Sequence, residues 1–165
     1  MKVLAIDPGP ERSGWLLYDA KTGRIESAQI TDNGPLALYL ENVEGVDWLA
    51  YEMVACYGMP VGAEVFDTCV WIGRFIQAWA DGPNAYKPHV LLSRKEIKLH
   101  LCQSARAKDS NIRQALIDRF GPGKAKAIGL KKTPGPLYGL KSHLWAALAV
   151  AVTAADQRDN PPKGL

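Results

Sequence analysis

The chain has 165 residues, of which 47% are hydrophobic and 22% charged, a balance typical of one soluble globular domain. Three widely spaced cysteines, Cys56, Cys69 and Cys102, fit neither a disulfide framework nor a zinc knuckle, so we expect reduced thiols. The most apolar stretch, residues 144–155, is too short to span a bilayer. A carboxylate at position 7 comes too early for a secretory leader, so we expect a cytoplasmic protein with no membrane partner.

The net charge of +3 is distributed unevenly. Residues 1–81 hold 5 Lys/Arg and 12 Asp/Glu, a net of −7, whereas residues 82–165 hold 15 and 5, a net of +10. Between Asp118 and Asp156 there is no acidic residue at all. This asymmetry favours a polyanionic partner such as nucleic acid, although a solvated lysine-rich loop would give the same pattern.

Residues 4–19 contain two short apolar runs separated by glycine and proline, which predicts two strands joined by a turn. The first run ends on Asp7, so this carboxylate lies at the end of a buried strand. A buried carboxylate needs a metal, a cation or hydrogen-bond donors. The alternative is that Asp7 only caps the following turn.

A third strand is predicted over residues 23–31 and a short helix over residues 34–42. A further buried strand, residues 46–54, carries Glu52 near its end. If this strand lies beside the first one, the carboxylates of Asp7 and Glu52 converge.

Residues 63–80 form the longest predicted helix, and it has two apolar stripes. One stripe contains Val65, Cys69, Ile72, Ile76 and Trp79; the other contains Phe66, Val70, Trp71 and Phe75. A helix that is apolar on two faces is central to the core or shared with a second subunit.

The C-terminal half is predicted to contain a strand at residues 87–92 and a helix that begins with the capping box at Ser93 and carries Lys98. Asp109 or Ser110 is expected to cap the next helix, which ends near Gly121. Residues 122–141 read as a long basic loop that is functional or mobile. Ser142 is expected to cap the last helix, whose inward stripe is Leu144, Ala147, Leu148, Ala151, Val152 and Ala155.

This order of elements is typical of a ribonuclease H-like α/β fold, with a five-stranded mixed sheet flanked by helices. Asp7-Pro8-Gly9 followed by Ser13-Gly14-Trp15 resembles the first-strand motif of RuvC-type Holliday junction resolvases, and residues 144–154 resemble their last helix. The chain looks most similar to the compact members encoded by phages and prophages. The resemblance covers one nuclease domain, residues 1–156, followed by a polar tail, residues 157–165.

The resemblance implies a site in which acidic residues bind two Mg²⁺ or Mn²⁺ ions per active centre. Asp7 and Glu52 match two ligand positions, and Lys98 falls where the family has an active-site lysine. His143 matches the third ligand position, but Ala146 stands at the fourth and has no donor atom. Asp109 is the candidate substitute, unless it is only a helix cap; His143 could likewise be a solvent-facing residue.

The implied function is that of a crossover junction endodeoxyribonuclease, a hydrolase of DNA recombination and repair acting as a homodimer in a bacterial or phage-infected cell. Its partner would be branched DNA, whose backbone phosphates are expected to contact Lys108, Lys131, Lys132, Tyr138 and Lys141. A first alternative is a junction-binding protein with weakened catalysis, which Ala146 suggests. A second is an actin-like ATPase, although such proteins need two domains of this kind.

Overall fold

Five strands form the mixed sheet that the sequence predicts, in the order β3-β2-β1-β4-β5. The computed structural model describes residues 1–55, 58 and 60–159. Strands β1, β2 and β3 are antiparallel neighbours, whereas β4 and β5 run parallel to β1. The strands are β1 (Lys2–Asp7), β2 (Arg12–Asp19), β3 (Arg24–Asp32), β4 (Trp48–Met53) and β5 (His89–Ser93).

Helices cover both faces of this sheet, and a small two-stranded hairpin follows α5. The helices are α1 (Asn33–Asn42), α2 (Ala63–Asp81), α3 (Arg94–Cys102), α4 (Asp109–Phe120), α5 (Lys124–Ala127) and α6 (His143–Asp159). The hairpin consists of β6 (Gly129–Leu130) and β7 (Thr133–Pro134).

Strand β1 is central because its apolar residues are buried on both faces. Val3 and Ala5 pack into the core beneath α6, whereas Leu4 and Ile6 pack into the core beneath α1 and α2. Side chains alternate between the two faces of a strand, so one apolar run serves both cores. Asp7 follows this buried run and is the residue at which the chain leaves the core.

Helix α6 lies against β1, β2 and β4 and is covered in turn by α3 and α4. Its residues 147–155 are all buried and so is Leu144, so the whole predicted inward stripe is buried. Alanines predominate there, and their small side chains let the helix axis approach the sheet closely. The predicted last helix and its inward stripe are confirmed, and the N-terminus of this helix lies at the end of β1.

The two apolar stripes of α2 have different environments. Ile72, Phe75 and Trp79 are buried against the sheet. Phe66 and Val70 are 62% and 55% exposed. The inward face therefore combines members of both predicted stripes, and the outward face is an exposed apolar patch.

Several predicted boundaries differ from the structure. The expectation that Asp109 or Ser110 caps α4 was wrong: Lys108 is the N-cap, and its backbone N–H donates to the side chain of Asn111 at 2.8 Å. Residues 122–141 are not one unstructured loop, since they contain α5 and the β6–β7 hairpin. The capping box at Ser93 is confirmed.

At the C-terminus, α6 continues to Asp159, three residues into the segment expected as a tail, and residues 160–165 lie outside the described part. Cys69 and Cys102 are free thiols; Cys56 also lies outside the described residues. Across the described ranges, none of the helices combines the length and apolarity that crossing a membrane requires.

Candidate active site

A cavity of about 290 Å³ opens at the carboxyl ends of β1 and β4. We call it the carboxylate cleft. Its lining residues come from both strands and from α3, α4 and the start of α6: Asp7, Glu52, Arg94, Asp109, Ile112, Arg113, Ser142, His143, Trp145 and Ala146. The cleft therefore unites four of the five residues predicted to be catalytic.

Asp7 and Glu52 meet because their strands are parallel neighbours. Ile6 pairs with Tyr51, so the next residues along the two strands are these two carboxylates. Both side chains are largely buried, and burial is the main cause that raises the pKa of each above its ordinary value. The negative charge of Asp109 raises both pKa values further, and the charge of Asp7 also raises that of Glu52. The pair is short of positive charge.

His143 reaches Asp7 because Gly14 leaves room for the first turn of α6. A Cβ atom at Gly14 would lie 2.7 Å from the Cβ of His143, which is closer than real side chains allow. The Nδ1 atom of His143 donates to Oδ2 of Asp7 at 2.8 Å. This hydrogen bond opposes the effect of burial on the pKa of Asp7 without cancelling it. It leaves Nε2 as the ring nitrogen available to a ligand or a proton.

A buried hydrogen-bond network holds the turn after β1. Ser13 donates its hydroxyl to the side-chain oxygen of Asn33 at 2.6 Å, and the amide nitrogen of Asn33 donates to the carbonyl of Gly9 at 2.9 Å. The backbone N–H of Gly9 donates to Ser13 at 3.2 Å. Asn33 was missed in the sequence because it follows the third strand, and only the folded sheet brings it to this turn.

Arg94 is a charged residue of the cleft that was not predicted from the sequence, and Arg113 is another. The guanidinium of Arg94 donates to Glu52 Oε2 at 3.0 Å and to Asp109 Oδ1 at 2.6 Å. Burial opposes its charge, but the two carboxylates outweigh burial and raise the pKa of Arg94. A signal was present: Arg94 directly follows Ser93, the N-cap at the end of a strand parallel to the one that carries Glu52.

Lys98, predicted as an active-site lysine, does not line the carboxylate cleft. It lines a neighbouring cavity of about 320 Å³ together with Arg94, Lys95 and Ala105. Asp109 does line the cleft, from the first turn of α4, with its side chain 77% exposed. The structure thus brings Asp7, Glu52, Asp109 and His143 together, whereas Lys98 lines a second cavity to which Arg94 also contributes.

The residues predicted to contact DNA are all exposed. Lys131 and Lys132 form the tip of the β6–β7 hairpin, Lys108 precedes α4, and Lys141 lies two residues before α6. Tyr138 is 46% exposed and lines a separate cavity beside β3. None of these five residues lines the carboxylate cleft.

The donor set fits one hard divalent cation better than two. Two oxygen-rich carboxylates on adjacent strand ends suit Mg²⁺ or Mn²⁺, which often use one or two carboxylates and complete their shell with water and substrate. Within the described ranges, however, no group of three or more His, Cys, Asp or Glu side chains is gathered to hold a metal ion. Arg94 occupies the space between Glu52 and Asp109, and Ala146 offers no donor.

Comparison with solved structures identifies the class of fold. The chain has the RuvC-like form of the ribonuclease H-like α/β fold. It is similar to Thermus thermophilus RuvC, with a TM-score of 0.69, 20% identity and coverage of 96% of both chains. It is also similar to T. thermophilus RuvC in complex with a Holliday junction substrate, with a TM-score of 0.63, 20% identity and coverage of 97% and 96%. No family model and no curated protein matches the sequence.

Proposed function

We propose that this protein is a structure-selective DNA endonuclease that cleaves Holliday junctions or other branched DNA by hydrolysis of a phosphodiester bond. The observation that carries the proposal is the pair of buried carboxylates, Asp7 and Glu52, at adjacent ends of parallel strands in an open cleft. Their raised pKa values mark a site that needs additional positive charge. The fold is also that of a protein described with a Holliday junction substrate.

Asp7 and Glu52 would hold a Mg²⁺ or Mn²⁺ ion, which when bound activates a water molecule and offsets charge at the scissile phosphate. In the hydrolysis, the water oxygen bonds to phosphorus, one phosphorus–oxygen bond to a sugar breaks, and the departing oxygen takes up a proton. His143 is positioned to receive a proton at Nε2, because Asp7 fixes its other ring nitrogen. A role for His143 as a metal ligand through Nε2 is an alternative use of the same atom.

The test is a cleavage assay with a labelled four-way junction in Mn²⁺, Mg²⁺ or EDTA, together with linear and forked duplexes of equal length. We expect cutting only with a divalent ion and preferentially in the branched substrates. Cleavage that continues in EDTA, or equal cutting of linear and branched DNA, would contradict the proposal.

A junction-binding protein with weakened catalysis is the second candidate. Ala146 and the ion pair between Arg94 and Glu52 favour it, because both reduce the donors available to a cation. The same assay distinguishes the two candidates when binding is measured in parallel by electrophoretic mobility. Tight, structure-selective binding with no cutting in Mn²⁺ identifies the second candidate.

Lys131 and Lys132 provide the DNA contacts that are easiest to test, since both are exposed at the hairpin tip. Replacing both with Gln should weaken binding to every DNA shape and reduce the log–log salt slope by up to about two. Lys21 and Arg24, exposed at the β2–β3 turn, form the matched control pair. An unchanged slope for the hairpin variant would mean that this tip does not contact phosphates.

A homodimer through α2 would bring two cleavage sites to a junction of near two-fold symmetry. The exposed apolar patch of Phe66 and Val70 is the surface that supports this assembly. Phe66→Glu should produce monomers in light scattering at tens of micromolar, whereas Leu130→Glu, which changes another exposed apolar residue, should not. A monomeric parent protein at this concentration would refute the dimer.

A further inference from the structure

The guanidinium of Arg94 bridges two carboxylates inside the carboxylate cleft. It lies 3.0 Å from Glu52 Oε2 and 2.6 Å from Asp109 Oδ1. Its side chain is 25% exposed, so it is partly desolvated and partly open to the cleft. A fixed positive charge shared between two carboxylates is the arrangement that a bridging metal ion would otherwise provide.

The local structure holds Arg94 in place. It is the first residue of α3, and the hydrogen bonds between Ser93 and Glu96 fix the start of that helix. Strand β5 pairs with β4 in parallel, with Leu92 opposite Glu52, so Arg94 emerges beside the end of Glu52's strand. The rigid fork of a guanidinium can meet two oxygen acceptors at once, which a lysine ammonium does with less geometric precision.

The charge of the cleft limits how many cations it can take. Three carboxylates and two guanidinium groups line it, which leaves a formal charge of −1 when His143 is neutral. One divalent cation would bring the cleft to +1, a value suited to a phosphate, whereas two would bring it to +3. The second guanidinium, that of Arg113, lies over the ring of Trp145 at 4.5 Å. Arg94 is therefore the positive charge that lies directly between the carboxylates of Glu52 and Asp109.

We propose that Arg94 replaces the second metal ion of this site, so that each chain binds one divalent cation and the Arg94 guanidinium contacts the scissile phosphate. This inference rests on the proposed nuclease function. Glu52 and Asp109 fix the orientation of the guanidinium, and its solvent-exposed side offers N–H donors to phosphate oxygens. Ala146 is consistent with this arrangement, because a site with one metal does not need a donor there.

The experiment counts bound Mn²⁺ ions, using the loss of the free Mn²⁺ signal in electron paramagnetic resonance, without DNA. The parent protein should bind one ion per chain. Arg94→Gln frees Glu52 and Asp109 and should bind a second ion, while its junction cleavage falls at least about a hundredfold. Arg94→Lys, which keeps the charge, should still bind one. Lys95→Gln removes a neighbouring exposed charge and should match the parent.

The outcomes separate this inference from the proposed function. A parent protein that binds two Mn²⁺ ions and cuts junctions overturns the inference and leaves the nuclease function standing. A parent protein that binds none and cuts nothing overturns both. An Arg94→Gln protein that binds one ion and cuts at the parental rate also overturns the inference. The number of Mn²⁺ ions bound by the parent protein can by itself reject the inference, so the test does not depend on the folding of any variant.

Discussion

Two carboxylate clusters lie near opposite ends of helix α6, separated by roughly 20 Å along its axis. At the C-terminal end, Asp156 accepts two hydrogen bonds from Arg119, at 2.6 and 2.7 Å, and one from His100 at 2.8 Å. At the N-terminal end, Asp7 has His143 as its direct partner and Glu52 as its neighbour. Both aspartates are partly buried, but their partners differ.

The pKa values of the two aspartates move in opposite directions. For Asp156, burial favours the neutral form, but the hydrogen bonds from Arg119 and His100 outweigh it and lower the pKa. For Asp7, burial prevails over the hydrogen bond with His143 and raises the pKa. The Asp156 cluster is complete within the fold, whereas the carboxylate cleft has one more carboxylate than guanidinium groups. An external cation is therefore expected to act at only one of the two.

The largest expected effect is on cleavage. Asp7→Asn and Glu52→Gln each remove a charge from the cleft and should reduce junction cleavage by at least about a hundredfold, with junction binding retained. Asp156→Asn should cut at close to the parental rate below its melting temperature. Cleavage rate and binding measured on the same three proteins check this. A fully active Asp7→Asn protein would erase the proposed distinction between the clusters.

The next effect is on stability. Asp156→Asn should lower the free energy of unfolding by about 2 kcal/mol, because the guanidinium of Arg119 and the ring nitrogen of His100 lose a charged hydrogen-bond acceptor. Folding lowers the pKa of Asp156 below its ordinary value of 3.8. Its contribution to the free energy of unfolding is therefore present above pH 3.8 and is lost as the pH falls through the pKa of the folded protein. Urea denaturation of parent and variant between pH 7 and pH 2 should show the two curves converging at acidic pH.

Asp7→Asn should raise the free energy of unfolding, the opposite of the effect of Asp156→Asn. Without metal, the parent bears a poorly compensated charge, and the variant should be more stable at pH 7 by roughly 1 kcal/mol. Because folding raises the pKa of Asp7, the folded protein binds more protons just above pH 3.8, and the parent loses stability as pH rises through that window. Denaturation in EDTA should show this gain, and saturating Mn²⁺ should reverse it. A variant less stable than the parent in EDTA would contradict the charge deficit.

The smallest stability effect is expected for Asp109→Asn. The Asp109 side chain is 77% exposed, so its ion pair with Arg94 should contribute less than about 0.5 kcal/mol. It is not the helix cap, and Asn at the first turn loses only a favourable charge there. Cleavage should nevertheless fall by about tenfold, because Arg94 loses one of its two anchors. Parental cleavage by Asp109→Asn would show that Glu52 alone positions Arg94.

The sequence predicted the five strands, the long helix and the terminal helix, because their apolar periodicities are strong and local. The mixed sheet was expected from the order of these elements. It also placed Asp7 and Glu52 at strand ends, and the parallel pairing of β1 with β4 then made them neighbours. The resemblance predicted His143 as a site residue, but its contact with Asp7 depends on the absence of a side chain at Gly14.

The tertiary structure alone decided which cation faces which carboxylate. Arg94 and Lys98 are one helical turn apart, and both are plausible partners for an acid; the register of β5 against β4 puts Arg94, not Lys98, in the cleft. Asn33 reached the turn at Gly9 by a contact 24 residues apart in sequence. Such contacts depend on long-range pairing and on side-chain direction, which no local pattern specifies, and the contacts of Arg94 set the charge of the cleft.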